Sequence, residues 1–247
     1  EPHTGLDDAE RELGVELEAQ GGPASLFRLL LLPADLAGYE RLCRLLTLAQ
    51  QRGPQGKVVV TAGELAQDTE GLWALLPLAE EHEAKEAETL SAVAVVRELF
   101  GQRARLLATR RLDAQDSWRL QRNRELGARF GVPIVASAQP LMHDKSRKML
   151  ADVLTCVRLG IPLEQAGRRL LPNAEARLRS ESQMLRLFHD QPGWVHASGE
   201  VAEALHFDLG TLRYHFPCTL QQGETADERL RALTWQGAMR RYPQGIP

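Results

Sequence analysis

ARLLATRRLDAQDSWRLQRNRELGARFGVPIVAS, residues 104–137, is the stretch that decides the fold class. The apolar run 104–108 predicts a short buried strand, and residues 116–130 have the apolar spacing of a helix. Gly131 and Pro133 then introduce a second apolar run, which predicts another strand. Two strands joined through a helix are the repeating unit of an α/β protein, in which neighbouring strands pair in parallel.

The same alternation of strands and helices extends towards the amino terminus. Residues 26–32 predict a buried strand that stops at Pro33, and residues 35–50 predict an amphipathic helix. Further strands are predicted at 57–60 and 71–76, and further helices after the Thr61–Glu64 capping box and at 87–100. We therefore expect an α/β fold with parallel pairing. The pattern does not distinguish a barrel from an open sheet.

Beyond about residue 145 the strand signals stop and helices follow one another. Two more capping boxes begin at Ser180 and Thr225, each followed three residues later by Gln or Glu. The helices are predicted at 146–158, 162–170, 180–188, 194–205 and 225–241. We expect two domains, an α/β region at 1–145 and a helical extension at 146–247.

Composition restricts the class of protein. The chain has 247 residues, is 43% hydrophobic and carries a net charge of -3, so no overall charge draws it to nucleic acid. Three widely spaced cysteines form neither a disulfide framework nor a zinc pattern, and no apolar run, including 29–32, is long enough to span a bilayer. We expect a cytoplasmic protein without membrane contact. Its abrupt ends, without an initiating methionine, suggest a piece of a longer chain.

Residues 151–175, ADVLTCVRLGIPLEQAGRRLLPNAE, carry a specific resemblance. They resemble the segment after the last metal-binding loop of the PHP domain in bacterial C-family DNA polymerases, most closely the error-prone paralogue of the replicative alpha subunit. Other segments resemble the same family in the same order, at 29–46, 173–188, 207–217 and 223–247. The resemblance implies a PHP-like distorted β/α barrel, complete or incomplete, with metal ligands at its strand ends. An α-helical extension towards the polymerase palm would follow.

The implied metal ligands are largely replaced in this chain. The family's opening His-x-His strand is absent, and only Glu16, in Gly14-Val15-Glu16, matches a ligand motif. The positions that correspond to lost ligands are Arg28, Arg111, Gln139 and Leu141, where the family has histidine, histidine, aspartate and histidine.

These replacements remove metal chemistry. Arginine is permanently charged and has no lone pair for a cation, and leucine offers no donor at all. Glu16, His3 and His143 are the weak remaining candidates. The alternative for Glu16 is a carboxylate paired with a replacing arginine, and for His143 a solvated loop side chain. We predict that no multi-metal cluster forms and that no residue here is catalytic.

A concentration of basic side chains is the remaining indication of nucleic-acid binding. Five of these residues could contact DNA or a neighbouring domain, namely Arg105, Arg110, Arg122, Lys145 and Lys148. The alternative is that such side chains cover apolar surface and pair with the acidic stretch 80–88.

Other candidate sites receive little support. His82 lies in a charge run typical of a solvated face, and Cys156 lies on an apolar helix face that predicts buried packing. Glycine-rich phosphate loops and a nucleophile elbow are missing from the sequence.

The resemblance implies a function for the parent protein. An error-prone DNA polymerase would extend primers with Mg²⁺ held in its palm, and this chain would be an inactive scaffold for the palm and thumb, with DNA as a partner of the parent enzyme. One alternative is an active PHP phosphoesterase or 3′-5′ exonuclease, which would need a rebuilt metal cluster. The other is a stand-alone interaction module without a polymerase.

Overall fold

The computed structural model describes residues 14–17, 25–52, 59–78, 86–213, 220 and 223–245. The described strands are β1 (Gly14–Leu17), β2 (Ser25–Arg28), β3 (Leu30–Pro33), β4 (Val59–Thr61), β5 (Leu72–Pro77), β6 (Ala104–Thr109) and β7 (Ile134–Ser137). The described α-helices are α1 (Leu36–Arg52), α2 (Ala62–Leu65), α3 (Glu86–Phe100), α4 (Asp116–Phe130), α5 (Lys148–Leu159), α6 (Leu163–Ala166), α7 (Glu181–Leu187), α8 (Pro192–Glu203) and α9 (Ala226–Arg241).

The described strands form two sheets, and the fold is α/β as expected. One sheet has the order β2-β1-β4 and the other β3-β5-β6-β7. Strands β5, β6 and β7 run parallel, as do β1 and β4. The expected parallel pairing is therefore found in part, because β2 and β3 pair antiparallel with β1 and β5.

The apolar run 26–32 is not the single strand that the sequence predicted. It divides at Leu29, which is 3% exposed, and its two halves join different sheets. Phe27 pairs with β1, whereas Leu31 pairs with β5. The hydrophobicity of residues 26–32 predicts that they are buried, but it does not predict which strands they pair with. The division between two sheets therefore could not be predicted from this run.

The four-stranded sheet is covered on both faces. Alternate residues of β5 point to opposite faces, so Leu72, Ala74 and Leu76 join a core formed with α1, α3 and α4. Trp73 and Leu75 face the other way and pack near Val201 of α8. The helices of the carboxyl-terminal half therefore contribute to the same layered core as the strands.

Local signals place the helices well. All three capping boxes are confirmed, with side chains of Thr61, Ser180 and Thr225 each accepting the N–H three residues on. The helix predicted at 162–170 is shorter. Helix α6 ends at Ala166, before Gly167, whose φ of 50° lies in the left-handed region, and a 3₁₀ turn, Gly167–Arg169, follows.

The chain forms two compact units, Glu1–Phe207 and Asp208–Pro247. These units do not test the domain boundary predicted near residue 145, which separates a barrel-like region from a helical extension. That boundary stays a prediction. Among the helices described, none is long and apolar enough to cross a membrane.

Candidate functional site

The candidate site lies where the parallel strands β6 and β7 end. Thr109 and Ser137, their last residues, are register partners, so the segments that follow leave the same edge of the sheet. Arg111 follows β6 and Gln139 follows β7. The Arg111 Nη2 group donates a hydrogen bond to Gln139 Oε1 over 3.2 Å. Two of the four predicted lost-ligand positions are therefore in direct contact.

The loop after β6 is built around one carboxylate. Asp116, at the start of α4, accepts the backbone N–H groups of Arg111 and Leu112, each over 2.8 Å. Leu112 has a φ of 52°, in the left-handed region that is unfavourable for a leucine. The two hydrogen bonds offset that cost and fix the backbone from which the Arg111 side chain extends.

A buried arginine supports the same loop. The Arg119 side chain is 6% exposed and donates from Nη2 to Asp113 Oδ1 over 2.5 Å and to Asp116 Oδ1 over 2.6 Å. Burial lowers its pKa, but hydrogen bonds to Asp116 and Asp113 outweigh burial, so the pKa of Arg119 is raised. Sequence reasoning missed this network, although Asp116 and Arg119 have the i,i+3 spacing of a helical ion pair.

The loop after β7 holds Gln139 in an unusual backbone conformation. Gln139 has a φ of 38°, and its N–H donates to Ser137 Oγ over 3.0 Å. Leu141 donates its N–H to Ala176 O over 2.9 Å while its side chain is 68% exposed. The backbone of this loop is thus tied to the segment around residue 176, and Leu141 presents only hydrocarbon.

A third segment closes the site, and sequence analysis used it only for the family resemblance, not as part of the site. Asn173 Nδ2 donates to Arg111 O over 2.6 Å, and Asn173 Oδ1 accepts the N–H of Glu175 over 3.0 Å. Glu175 pairs with Arg179, whose side chain is 3% exposed. Arg179 Nη1 also donates to Glu175 O over 2.7 Å.

Positive charge is concentrated around this segment. Burial lowers the pKa of Arg179; the Glu175 carboxylate opposes that effect, and the charges of Arg177 and Arg111 add to it. Because the charges of Arg177 and Arg111 also lower the pKa of Arg179, three arginines share one neighbourhood with Glu175.

The donor set at these strand ends does not fit a cation. Arg111 supplies only N–H donors, Leu141 supplies hydrocarbon, and the carbonyl oxygen of Gln139 already accepts from Arg111. Within the ranges that the structure describes, there is no group of three or more His, Cys, Asp or Glu side chains that could hold a metal ion.

The remaining ligand candidates are dispersed. Arg28 is exposed at the end of β2, in the three-stranded sheet, and Glu16 lies in β1. The side chain of Glu16 and the whole of His3 lie outside the described residues, as does His82. His143 is exposed in the loop before α5. Cys156 is buried, as predicted, and Cys43 is exposed; both are free thiols.

Four of the five basic residues proposed to contact DNA have partners within the chain. Arg105 stacks over the Trp73 ring at 4.7 Å and donates to Gln102 O and Ala104 O. Arg110 donates to Leu187 O and pairs with Asp190, Arg122 pairs with Glu86, and Lys148 pairs with Asp152. Lys145 is exposed. These contacts favour a structural role, and DNA contact stays a prediction.

Comparison with known proteins gives consistent relatives. No family model matches the chain. An error-prone DNA polymerase of Ruegeria pomeroyi is 37% identical over 217 residues, which is 87% of this chain and 19% of that protein. One from Caulobacter vibrioides is 36% identical over 94% of this chain and 21% of its own length. "Error-prone DNA polymerase 2" of Rhizobium meliloti is 32% identical over 95% of this chain and 21% of its own length.

These relatives confirm the resemblance to error-prone DNA polymerases. The chain is similar over most of its length to proteins of one name, and it spans about one fifth of the length of the curated relatives that it matches.

Proposed function

We propose, from the premise that this chain is homologous to about one fifth of an error-prone DNA polymerase, that it is a PHP-like scaffold region with a degenerate metal site. Primer extension by the whole protein, with Mg²⁺ in a palm outside this chain, belongs to the same proposal. The proposal also includes the palm, the thumb and DNA as partners, and a cytoplasmic location. The proposal assigns no catalytic residue to residues 1–247.

The fold is compatible with the proposal. Seven strands are described, in a three-stranded and a four-stranded sheet, and the parallel strands β6 and β7 end at the site. A PHP-like barrel, complete or partial, would place its metal ligands at the carboxyl ends of such strands. Arg111 and Gln139 lie at two of these ends.

The observation that carries the proposal is the hydrogen bond between Arg111 and Gln139. In the family pattern these two positions hold a histidine and an aspartate. Here a guanidinium donates to an amide, so the side-chain oxygen at the second position is already occupied by Arg111 rather than open to an ion.

Electrostatics reinforces this geometry. A unit positive charge about 4 Å from a guanidinium is repelled by about 4 kcal/mol at an effective dielectric constant of about 20, and a divalent ion by about twice that. With Arg177 and Arg179 in the same neighbourhood, a cation at these strand ends would meet more than one such charge.

The test is made in the full-length gene product that contains this chain. We expect deletion of residues 1–207 to lower the thermal unfolding midpoint and to reduce primer extension, because a scaffold stabilises the domains that it contacts. A Glu16→Ala variant is the matched control and should extend primers at the wild-type rate.

Two outcomes would replace the proposal. If the deletion variant extends primers normally and unfolds at the same temperature, the region does not support the polymerase. If the intact protein releases nucleotides from a 3′ end with manganese, and Glu16→Ala abolishes that release, the region is an active phosphoesterase.

A further inference from the structure

Helix α5 presents an apolar face to solvent. Five of its twelve residues are large, apolar and 43% to 73% exposed, namely Met149, Leu150, Val153, Leu154 and Val157. At about 100° per residue these five side chains fall within an arc of roughly 140°, and no other residue of the helix projects into that arc. We call these five residues the α5 face.

The opposite side of the helix is the one that packs against the protein. Ala151, Asp152 and Thr155 on that side are half-buried, and Cys156, which lies beside Met149 at one edge of the α5 face, is 6% exposed. Asp152 pairs there with Lys148 at 2.6 Å. The usual arrangement of a surface helix, with the apolar side inward and the polar side outward, is therefore reversed in α5.

The α5 face differs from the other exposed apolar residues. In α9, Leu230, Leu233, Trp235 and Met239 are also exposed, but at about 100° per residue they are scattered around the helix and form no face. Single exposed apolar residues are ordinary, whereas a contiguous apolar face indicates an interaction site.

We propose that the α5 face docks against another segment of the same polypeptide, one that lies outside residues 1–247. This proposal rests on the proposed function, because it takes the chain to be part of a longer polymerase. The relatives are about five times as long as the region that this chain matches. A tethered segment has a high effective concentration, so the face would be covered without a separate partner.

The charged residues around the α5 face indicate what kind of surface would cover it. The exposed residues of the segment 144–169 include five basic side chains, Lys145, Arg147, Arg158, Arg168 and Arg169, against the acidic Asp144 and Glu164. Lys145 and Arg147 precede α5 directly, and Arg158 flanks the face in its last turn. The docking segment should therefore be apolar at its centre and acidic at its edge.

The same charges disfavour two other occupants. A second copy of the chain in a twofold contact would bring one basic rim against an identical rim. Nucleic acid would suit the rim but not five aliphatic and thioether side chains, since phosphates recruit charged and polar groups.

The experiment measures how accessible the face is. A Val157→Cys variant, at the most exposed of the five positions, is labelled with a maleimide in the 247-residue chain and in the full-length gene product. Cys43, which is exposed on α1, is the internal reference. We expect Val157→Cys to react at least tenfold more slowly in the full-length protein, with Cys43 changed less than twofold.

Other results overturn the proposal in distinguishable ways. Equal labelling of Val157→Cys in both proteins means that the face stays uncovered, and equal slowing at Cys43 means general shielding. Protection that rises with concentration in the 247-residue chain assigns the face to a second copy. Protection that requires added primer-template assigns it to nucleic acid.

A second variant separates docking from the scaffold function. Val153→Asp combined with Val157→Asp should leave the urea midpoint of the 247-residue chain unchanged, because both residues are exposed, and should lower the unfolding midpoint of the full-length protein. An unchanged midpoint in the full-length protein contradicts docking. The scaffold function fails on a different result, normal primer extension after deletion of residues 1–207.

Discussion

Arg111 and Gln139 follow neighbouring parallel strands and are joined by a hydrogen bond of 3.2 Å from guanidinium to amide. The backbone of Arg111 is fixed separately, by Asp116 at its N–H and by Asn173 at its carbonyl oxygen. The arginine is therefore held by contacts from three segments of the chain. This arrangement leads to specific predictions, the first of which tests the proposed loss of a metal site.

Returning ligands to these two positions should restore affinity for a divalent cation. The double variant Arg111→His, Gln139→Asp removes one positive charge and adds an imidazole and a carboxylate in contact distance. We expect its affinity for Mn²⁺, measured by isothermal titration calorimetry, to exceed that of the wild-type chain at least tenfold.

A matched pair elsewhere controls for the added ligands themselves. Arg105→His with Gln102→Asp makes the same two changes where Arg105 donates to Gln102 O, and it should leave Mn²⁺ affinity near the wild-type value. Micromolar Mn²⁺ binding by the wild-type chain, lost on Glu16→Ala, would contradict the loss of the metal site.

Arg119 should be among the most sensitive positions near the site. Replacing it with methionine leaves the carboxylates of Asp113 and Asp116 partly buried without their partner, so we expect a loss of about 3 kcal/mol in the free energy of unfolding. Urea denaturation followed by circular dichroism measures this loss.

Arg124 provides the control for that prediction. Its side chain is 39% exposed and lies 3.6 Å from Asp190, so Arg124→Met should cost less than about 1 kcal/mol. Equal losses for the two variants would show that the Arg119 network is not special.

The ion pair between Arg110 and Asp190 should make stability depend on pH. A hydrogen bond from Arg110 holds the pKa of Asp190 below its ordinary value of about 3.9. Because the folded pKa is depressed, the stabilisation is complete above the unfolded pKa and is lost as pH falls through the folded one.

Asp190→Asn tests this directly. Urea denaturation between pH 3 and pH 7 should show wild type more stable at neutral pH, by about 1 kcal/mol or less because Asp190 is 40% exposed, with the difference shrinking below about pH 4. Arg110→Gln should remove the same pH-dependent part. A difference that grows on acidification would reverse the assigned sign.

Gly38 should tolerate no side chain. A Cβ there would lie 2.2 Å from the carbonyl oxygen of Gly71, which itself has a φ of 70° and cannot easily move. We expect Gly38→Ala to lower the free energy of unfolding by about 2 kcal/mol through overpacking between α1 and the start of β5. Thermal denaturation by calorimetry gives the measurement.

Gly199 is the matched control, since a Cβ there meets no atom within 4 Å in the middle of α8. Gly199→Ala should raise stability by about 0.5 to 1 kcal/mol, because alanine loses less backbone entropy than glycine in a helix. If both changes destabilise the protein, the steric clash of a Cβ is not what makes glycine necessary at Gly38.

The elements of the α/β unit show what local sequence predicts well. Helix α4 has the bounds 116–130 that its apolar spacing indicated, and the box residues Thr61, Ser180 and Thr225 begin helices as predicted. These features depend on contacts within a few residues. Their energetics can therefore be judged from a short stretch of sequence.

The candidate site shows the limit of such reasoning. Arg111 and Gln139 could be singled out from family resemblance, but their mutual hydrogen bond could not, because 28 residues separate them. Asn173 reaches Arg111 across 62 residues and was not suspected at all. No spacing rule covers a side chain that caps the backbone of a distant loop.

The amino-acid sequence by itself determined the α/β class, the helix starts and the chemical character of the residues at the strand ends. Only the tertiary structure decided that the run 26–32 divides at Leu29 between two sheets, that Arg111 meets Gln139, and that the α5 face points outward. The physical reason is the distance along the sequence over which each kind of interaction acts. Periodicity and capping act over a single turn or strand, whereas strand partners, charge neighbours and exposure depend on which distant segments pack together.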